Sequence, residues 1–166
     1  MDAEASIRLY REEDLEVLRE ITVLAFERVS IDRNIETEFG PIAQGDWRKR
    51  KAQHINDDVQ REPNGVFVAT LPNGDSETVI GYITTWCDRD AGIGHIPNLA
   101  VLEAHRGHGL GRRLIATAID YFRSQGMKLA RIETLEQNPV GQSLYPSMGF
   151  QEVARQIHYC QDLTDK

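Results

Sequence analysis

Residues 105 to 111 read His105-Arg106-Gly107-His108-Gly109-Leu110-Gly111, and Arg112 and Arg113 follow at once. An apolar, strand-like run, Leu99-Ala100-Val101-Leu102, stands ahead of this stretch, and an amphipathic helical pattern stands behind it. A glycine-rich turn between strand and helix exposes backbone N–H groups where the helix dipole is positive, which makes an anion site. Arginines in a first helical turn oppose that dipole unless a polyanion reverses the local sign. The chemistry this stretch offers is phosphate recognition.

Three glycine-rich designs bind phosphates in this way. A Walker A loop needs Gly, four residues, then Gly-Lys-Ser/Thr, and the chain has no such string. A dinucleotide fingerprint counted from Gly107 and Gly109 needs glycine where Arg112 stands, and it belongs to a first strand-helix unit. Arg106-Gly107-His108-Gly109-Leu110-Gly111 fits the third, the Arg/Gln-x-x-Gly-x-Gly/Ala signature. About thirty residues on comes Asn138-Pro139-Val140-Gly141-Gln142-Ser143-Leu144-Tyr145-Pro146-Ser147-Met148-Gly149-Phe150. Together with the preceding Asn98-Leu99-Ala100-Val101 strand, these two motifs resemble the GNAT superfamily of N-acetyltransferases. The likeness is strong from residue 95 to 150 and architectural before that.

The resemblance implies an acetyl-CoA-dependent N-acetyltransferase that moves the acetyl group directly to a primary amine. It implies that backbone N–H groups from Gly107 through His108, Gly109, Leu110 and Gly111 to Arg112 wrap the pyrophosphate, with Arg106 and Arg112 as charge partners. Pro97 in a central strand removes a ladder donor and predicts a bulge. The resemblance gives that bulge a use, since strand four then splays from strand five and leaves backbone groups near Leu99, Ala100 and Val101 to bond the pantetheine arm. Tyr145 falls at the family's general-acid position; a half-buried packing aromatic is the other reading. Asn138 before Pro139 is a well-formed helix cap, and in the family the equivalent asparagine also contacts the coenzyme. Gly141 replaces the alanine common there, at about 1 kcal/mol of helix propensity. His95 stands where some members carry a basic carboxylate; it is either the base or an ordinary strand-edge histidine. A non-catalytic acyl-CoA sensor is the alternative function.

These residues need a scaffold, and the pattern supplies one. Ser6 to Tyr10 predicts a first strand, and Leu15, Leu18, Thr22, Ala25 and Phe26 mark a helix face. Residues 30 to 45, with Gly40-Pro41 and Gly45, read as a loop, and Asp46 to Arg61 as a second helix whose run Arg48-Lys49-Arg50-Lys51 is a solvated face. A hairpin around Pro72-Asn73-Gly74 and a fourth strand from Gly94 to Leu102 follow. Leu110, Leu114, Ala118 and Phe122 share a helix face ending at Gly126; Leu129 to Leu135 is a fifth strand, and Gly149 to Tyr159 carries one or two more. The expected fold is mixed α/β (α+β). It has a central, mostly antiparallel sheet of six to seven strands, about four helices, and strands four and five parallel and splayed. One domain over residues 1–166 is expected.

The formal charge of −7, from 19 basic and 26 acidic residues, argues against nucleic acid and anionic membranes as partners. Residues 105 to 113 nonetheless carry three arginines and no carboxylate, which suits a small anionic ligand. The acidic start Met1-Asp2-Ala3-Glu4 lacks the apolar core of a signal peptide, so a cytoplasmic location is expected. Cys87 and Cys160 form no motif and read as two buried, reduced thiols; the five histidines show no ligand spacing, so no metal site is expected. The acceptor, a small-molecule or a protein or peptide amine, is left open. Its cationic end has Asp32, Glu36, Glu38, Glu133 and Glu136 as candidate partners. A homodimer is expected by family habit.

Overall fold

The computed structural model describes residues 4–164; Met1-Asp2-Ala3 lies outside them. Five strands form one sheet in the order β1 (Ser6–Leu9), β2 (Phe67–Asn73), β3 (Ser76–Asp88), β4 (Ile93–Val101) and β5 (Leu129–Ile132). Every neighbouring pair is antiparallel except β4 and β5, which are parallel, as expected. Three helices, α1 (Leu15–Ala25), α2 (Ile31–Phe39) and α3 (Trp47–Arg61), precede the hairpin. The helix α4 (Leu110–Ser124) joins β4 to β5, and α5 (Pro139–Ser147) follows β5.

Period-two alternation in the strands sends apolar side chains to both faces, and each face meets its own helices. On one, Leu18 and Ile21 of α1 and Ile55 and Val59 of α3 pack on Val68, Val79, Tyr82 and Ala100. On the other, Leu114, Ile115, Ala118 and Phe122 of α4 pack on Ala69, Ile80, Ile83 and Ile96. Tyr82 is fully buried, and its hydroxyl donates to Thr22 Oγ1 at 2.6 Å, whose own hydroxyl donates to the Leu18 carbonyl. A buried phenol is thereby satisfied without a charge.

β4 contains the feature that shapes the site. Thr84 pairs with Asn98 and Trp86 pairs with His95, so Ile96 and Pro97 together stand opposite Thr85. This bulge is the one Pro97 predicts, and it reverses which face the strand shows. Before it, Gly94 and Ile96 lie against α4; after it, Asn98 and Ala100 lie on the α1 and α3 face. Pairing of β4 with β5 ends at Ile96 and Ile132, and β4 continues to Val101 paired with β3 only.

Four expectations need correction. Residues 31 to 39 are helical, because Ile31, Ile35 and Phe39 repeat every fourth position and Arg50 clamps the helix through Glu36 (3.1 Å) and the Asp32 carbonyl (3.2 Å). The basic run is therefore not wholly solvated: Arg50 and Lys51 turn inward. Cys87 is buried but Cys160 is exposed. The sheet has five strands among the described residues, since residues 151–163 find no strand partner and leave Val153, Ile157, Tyr159 and Leu163 exposed.

A Cβ on Gly94 would lie 2.3–2.6 Å from three ring carbons of Phe122, where β4 presses on α4. Gly94→Ala is expected to lose about 2–3 kcal/mol by overpacking, read in thermal unfolding as a Tm lower by roughly 5–10 °C.

Candidate functional site

Between β4 and α4 the backbone is bent by two glycines, Gly107 at φ +83° and Gly109 at φ +76°. A Cβ on either would meet nothing within 4 Å, so conformation rather than space demands glycine there. From Gly107 to Arg112, six successive N–H groups take no hydrogen-bond partner among the described residues; the ladder resumes where Arg113 N donates to the Gly109 carbonyl at 3.1 Å. These donors coincide with the positive end of α4. The Arg106 Nε donates to the Val101 carbonyl at 2.9 Å, which braces its guanidinium at the open end of β4. Arg112 is exposed beside Met148. Arg113 turns away and donates to the Ala5 carbonyl at 2.8 Å. His108 is exposed and His105 half-buried.

Where β4 runs on alone, its outward edge is free. Leu102 N donates to the Ile80 carbonyl, so by alternation the N–H groups of Leu99 and Val101 point away from β3, toward the side that β5 has left. The Val101 carbonyl on that edge is the one Arg106 caps. Ala100 is placed differently: it is paired with Tyr82, and its side chain is buried on the α1 and α3 face.

Asn138 caps α5, with Oδ1 accepting from Gly141 N at 3.3 Å and Nδ2 donating to Thr134 Oγ1 at 2.9 Å. Pro139 stands at the first helical position, where a missing N–H costs nothing. This brings Tyr145 into the apolar cluster that also holds Leu99 and Val101. Its ring meets Phe150 edge-on at 6.3 Å, and burial pushes its hydroxyl pKa up to about 12. The hydroxyl makes no hydrogen bond among the described residues. Leu99, Val101, Tyr145 and the glycine loop therefore share one side of the split between β4 and β5.

His95 lies on the paired part of the strands. Its imidazole stacks on Trp86 at 4.0 Å, and burial, then Arg131, lowers its pKa.

On the α3 face a polar group sits at the bulge. Asp58 is 8% exposed, and its Oδ2 accepts from Thr84 Oγ1 at 2.6 Å and from Asn98 Nδ2 at 2.7 Å. Lys51 Nζ donates to Asn98 Oδ1 at 2.8 Å and lies 4.1 Å from the Phe26 ring centroid. Burial raises the Asp58 pKa and lowers that of Lys51. Sequence reasoning passed over this group, although a signal existed. Lys51 and Asp58 fall two turns apart, flanking Ile55 on the buried face of the helix, where charges are costly without partners. Four of the carboxylates named from sequence for an acceptor are taken up by cations of the chain: Asp32 and Glu36 by Arg50, Glu133 by Arg131, and Glu136 by Arg155.

The sequence profile described as the acetyltransferase (GNAT) family matches residues 32–150. Among curated proteins, the chain is similar to N-alpha-acetyltransferase 30 of Saccharomyces cerevisiae (35% identity over 66 residues, 40% of this chain and 38% of that protein). It is also similar to mycothiol acetyltransferase of Kocuria rhizophila (29% identity over 120 residues, 69% of this chain). The chain spans 38% and 37% of the lengths of these relatives. Among solved structures, it shares its fold with PaiA N-acetyltransferase of Thermoplasma acidophilum in complex with coenzyme A (TM-score 0.68, 22% identity, 89% of this chain and 90% of that one). An aminoglycoside N-acetyltransferase in complex with CoA has the same fold (TM-score 0.64, 19% identity, 97% of each chain).

Gly141 carries a prediction in which two effects oppose each other. Helix propensity favours alanine there by about 1 kcal/mol. A Cβ would, however, stand 2.5 Å from Thr134 Oγ1 and 3.0 Å from Asn138 Nδ2, inside the cap that seats α5. Gly141→Ala is expected to lower Tm, and an unchanged or raised Tm would show that the cap yields freely.

Proposed function

The chain belongs to the GNAT acetyltransferase family, and from that premise we propose that it transfers an acetyl group from acetyl-CoA directly to a primary amine. The observation that carries this reading is the run of six unpartnered N–H groups at the start of α4, beside a strand edge left open by the bulge. Those donors and Arg106 and Arg112 suit a pyrophosphate, and the free N–H groups of Leu99 and Val101 suit an extended amide-bearing arm.

Acetyl-CoA supplies an acyl carbon activated as a thioester. The amine nitrogen bonds to that carbon, the carbon–sulfur bond breaks, the amine gives up a proton, and the sulfur gains one. The Leu99 N–H, aimed at the open edge, is a donor for charge that builds on the acyl oxygen. Tyr145 is protonated at neutral pH, since burial pushes its hydroxyl pKa up to about 12, and it serves as the acid for the departing sulfur. For the amine's proton, His95 is the candidate raised by sequence; its stack on Trp86 holds it beside strands that are still paired. We also read the chain as a homodimer. Residues 151–163 expose Val153, Ile157, Tyr159 and Leu163 at alternate-strand spacing, and β5 is an edge strand with Leu129 exposed, so a second copy offers each its partner.

Thermal unfolding with excess acetyl-CoA tests the premise, with ATP as control. At a hundredfold above Kd the ligand adds about 2.7 kcal/mol, a Tm rise of several degrees that ATP should not reproduce. Tyr145→Phe is expected to lower kcat about a hundredfold while leaving the acetyl-CoA Kd within about threefold. Light scattering on the full chain should give twice the monomer mass, and a chain ending at Gln151 the monomer mass.

A further inference from the structure

Asp58 has one oxygen with nothing to do. Its Oδ2 takes two short hydrogen bonds, whereas Oδ1 takes none among the described residues. Nor is Oδ1 among the buried polar atoms sealed from solvent without a partner, which are Ser30 Oγ, Arg50 Nη1 and Asn56 Oδ1. It therefore opens outward, and Asp58 forms part of the wall of a cavity of about 250 Å³ with Lys51, His54, Arg61, Pro97 and Asn98. A carboxylate that is nine-tenths buried and half satisfied is costly to keep unless a donor arrives from outside.

The position of the cavity gives that donor its use. Asn98 bonds Asp58 with its side chain, and its main chain precedes Leu99, whose N–H lies on the free edge of β4. The bulge at Pro97 thus sets the cavity and the open edge back to back across one strand. Resting on the transferase reading, we propose that this cavity is the acceptor subsite and that Asp58 Oδ1 receives a primary amine there, binding it as the ammonium and taking its proton. One ammonium proton moves from nitrogen to Oδ1, and the freed lone pair forms the new bond to the acyl carbon as the carbon–sulfur bond breaks. The sulfur leaves with the Tyr145 proton, the nitrogen's second proton passes through water to restore Tyr145, and the proton on Asp58 leaves to solvent when the amide product departs.

Charge narrows the class of amine, while the cavity of about 250 Å³ is open to solvent and leaves the bulk of the far end unrestricted. The titratable groups facing Asp58 are Lys51, His54, Asp57 and Arg61 on its own helix and Tyr82 on β3; β4 presents the neutral Asn98. Besides Asp58, the lining sets two basic residues, Lys51 and Arg61, against one carboxylate, Asp57, which disfavours a second positive charge and tolerates a neutral or anionic far end.

The test uses three probes of equal length, n-butylamine, 4-aminobutyrate and 1,4-diaminobutane, with the full chain and saturating acetyl-CoA. The first two should exceed the diamine in kcat/KM by at least tenfold. Asp58→Asn keeps acceptors for Thr84 and Asn98, and should retain its Tm and its Kd for acetyl-CoA while losing at least a hundredfold in kcat/KM at pH 7. The pH profile separates a proton acceptor from a structural brace. Where Asp58 is ionised and the ammonium form is bound, wild-type kcat/KM should vary with pH between 6.5 and 8.5 much less than that of the variant. The variant can use only free amine, of pKa about 10.4, and should fall tenfold for each unit of pH lowered. In parallel, butylammonium but not butanol should shift the Asp58 carboxyl ¹³C resonance saturably. Equal slopes in the two proteins, or no carboxyl shift with acetyl-CoA bound, would overturn the subsite. Failure of wild type to bind acetyl-CoA would instead overturn the transferase reading.

Discussion

One extra residue in β4 governs the architecture of the site. Because Ile96 and Pro97 together face Thr85, the strand beyond them is turned over and carried away from β5. A sheet edge normally hidden between neighbours is left open there, while Asn98 swings from the α4 face to the α3 face. Proline makes this arrangement persistent, since a residue with no N–H has no ladder bond to recover by straightening. The bulge is also why a polar group on one face of the sheet and an open strand edge can be one residue apart.

Charge is arranged on the same plan. An acidic chain with a formal charge of −7 gathers three arginines between residues 105 and 113 and, among the described residues, leaves six amide donors unpartnered at the head of α4. Of these arginines, Arg106 is braced against the end of β4 and Arg112 stands in the open, while Arg113 is spent on the Ala5 carbonyl. On the opposite face the burial of Asp58 and Lys51 is made tolerable by Asn98, which accepts from one and donates to the other. Their charges oppose each other through a neutral amide, so neither is cancelled by direct contact.

Much of this was legible in the chain because local physics dictates it. Gly107 and Gly109 sit where φ must be positive, Pro97 where a ladder bond must be missing, and Asn138-Pro139 where a helix must begin. The parallel pair of β4 and β5 followed from the strand-helix-strand order. What was not legible depends on contacts distant in sequence. The helix Ile31–Phe39 has only three apolar residues of its own, one at every fourth position, and is held by Arg50, fourteen positions beyond Glu36. Asp58 looks like any charge in a charged helix until Thr84 and Asn98 are brought to it from two strands. Gly141, which reads as a weak helix residue, is needed because Thr134 comes too close for a side chain. Residues 151–163 carry a strand pattern without a strand partner, since pairing is a property of a sheet edge and not of the segment alone.

The central claim is that the head of α4 and the free edge of β4 together bind one ligand. Amide resonances of the full chain followed during titration with coenzyme A test it most directly. Saturable shifts, with a common Kd, are expected for the N–H groups of Gly107 through Arg112 and for those of Leu99 and Val101. Shifts confined to the glycine loop, or absent from both segments at saturating coenzyme A, would contradict it.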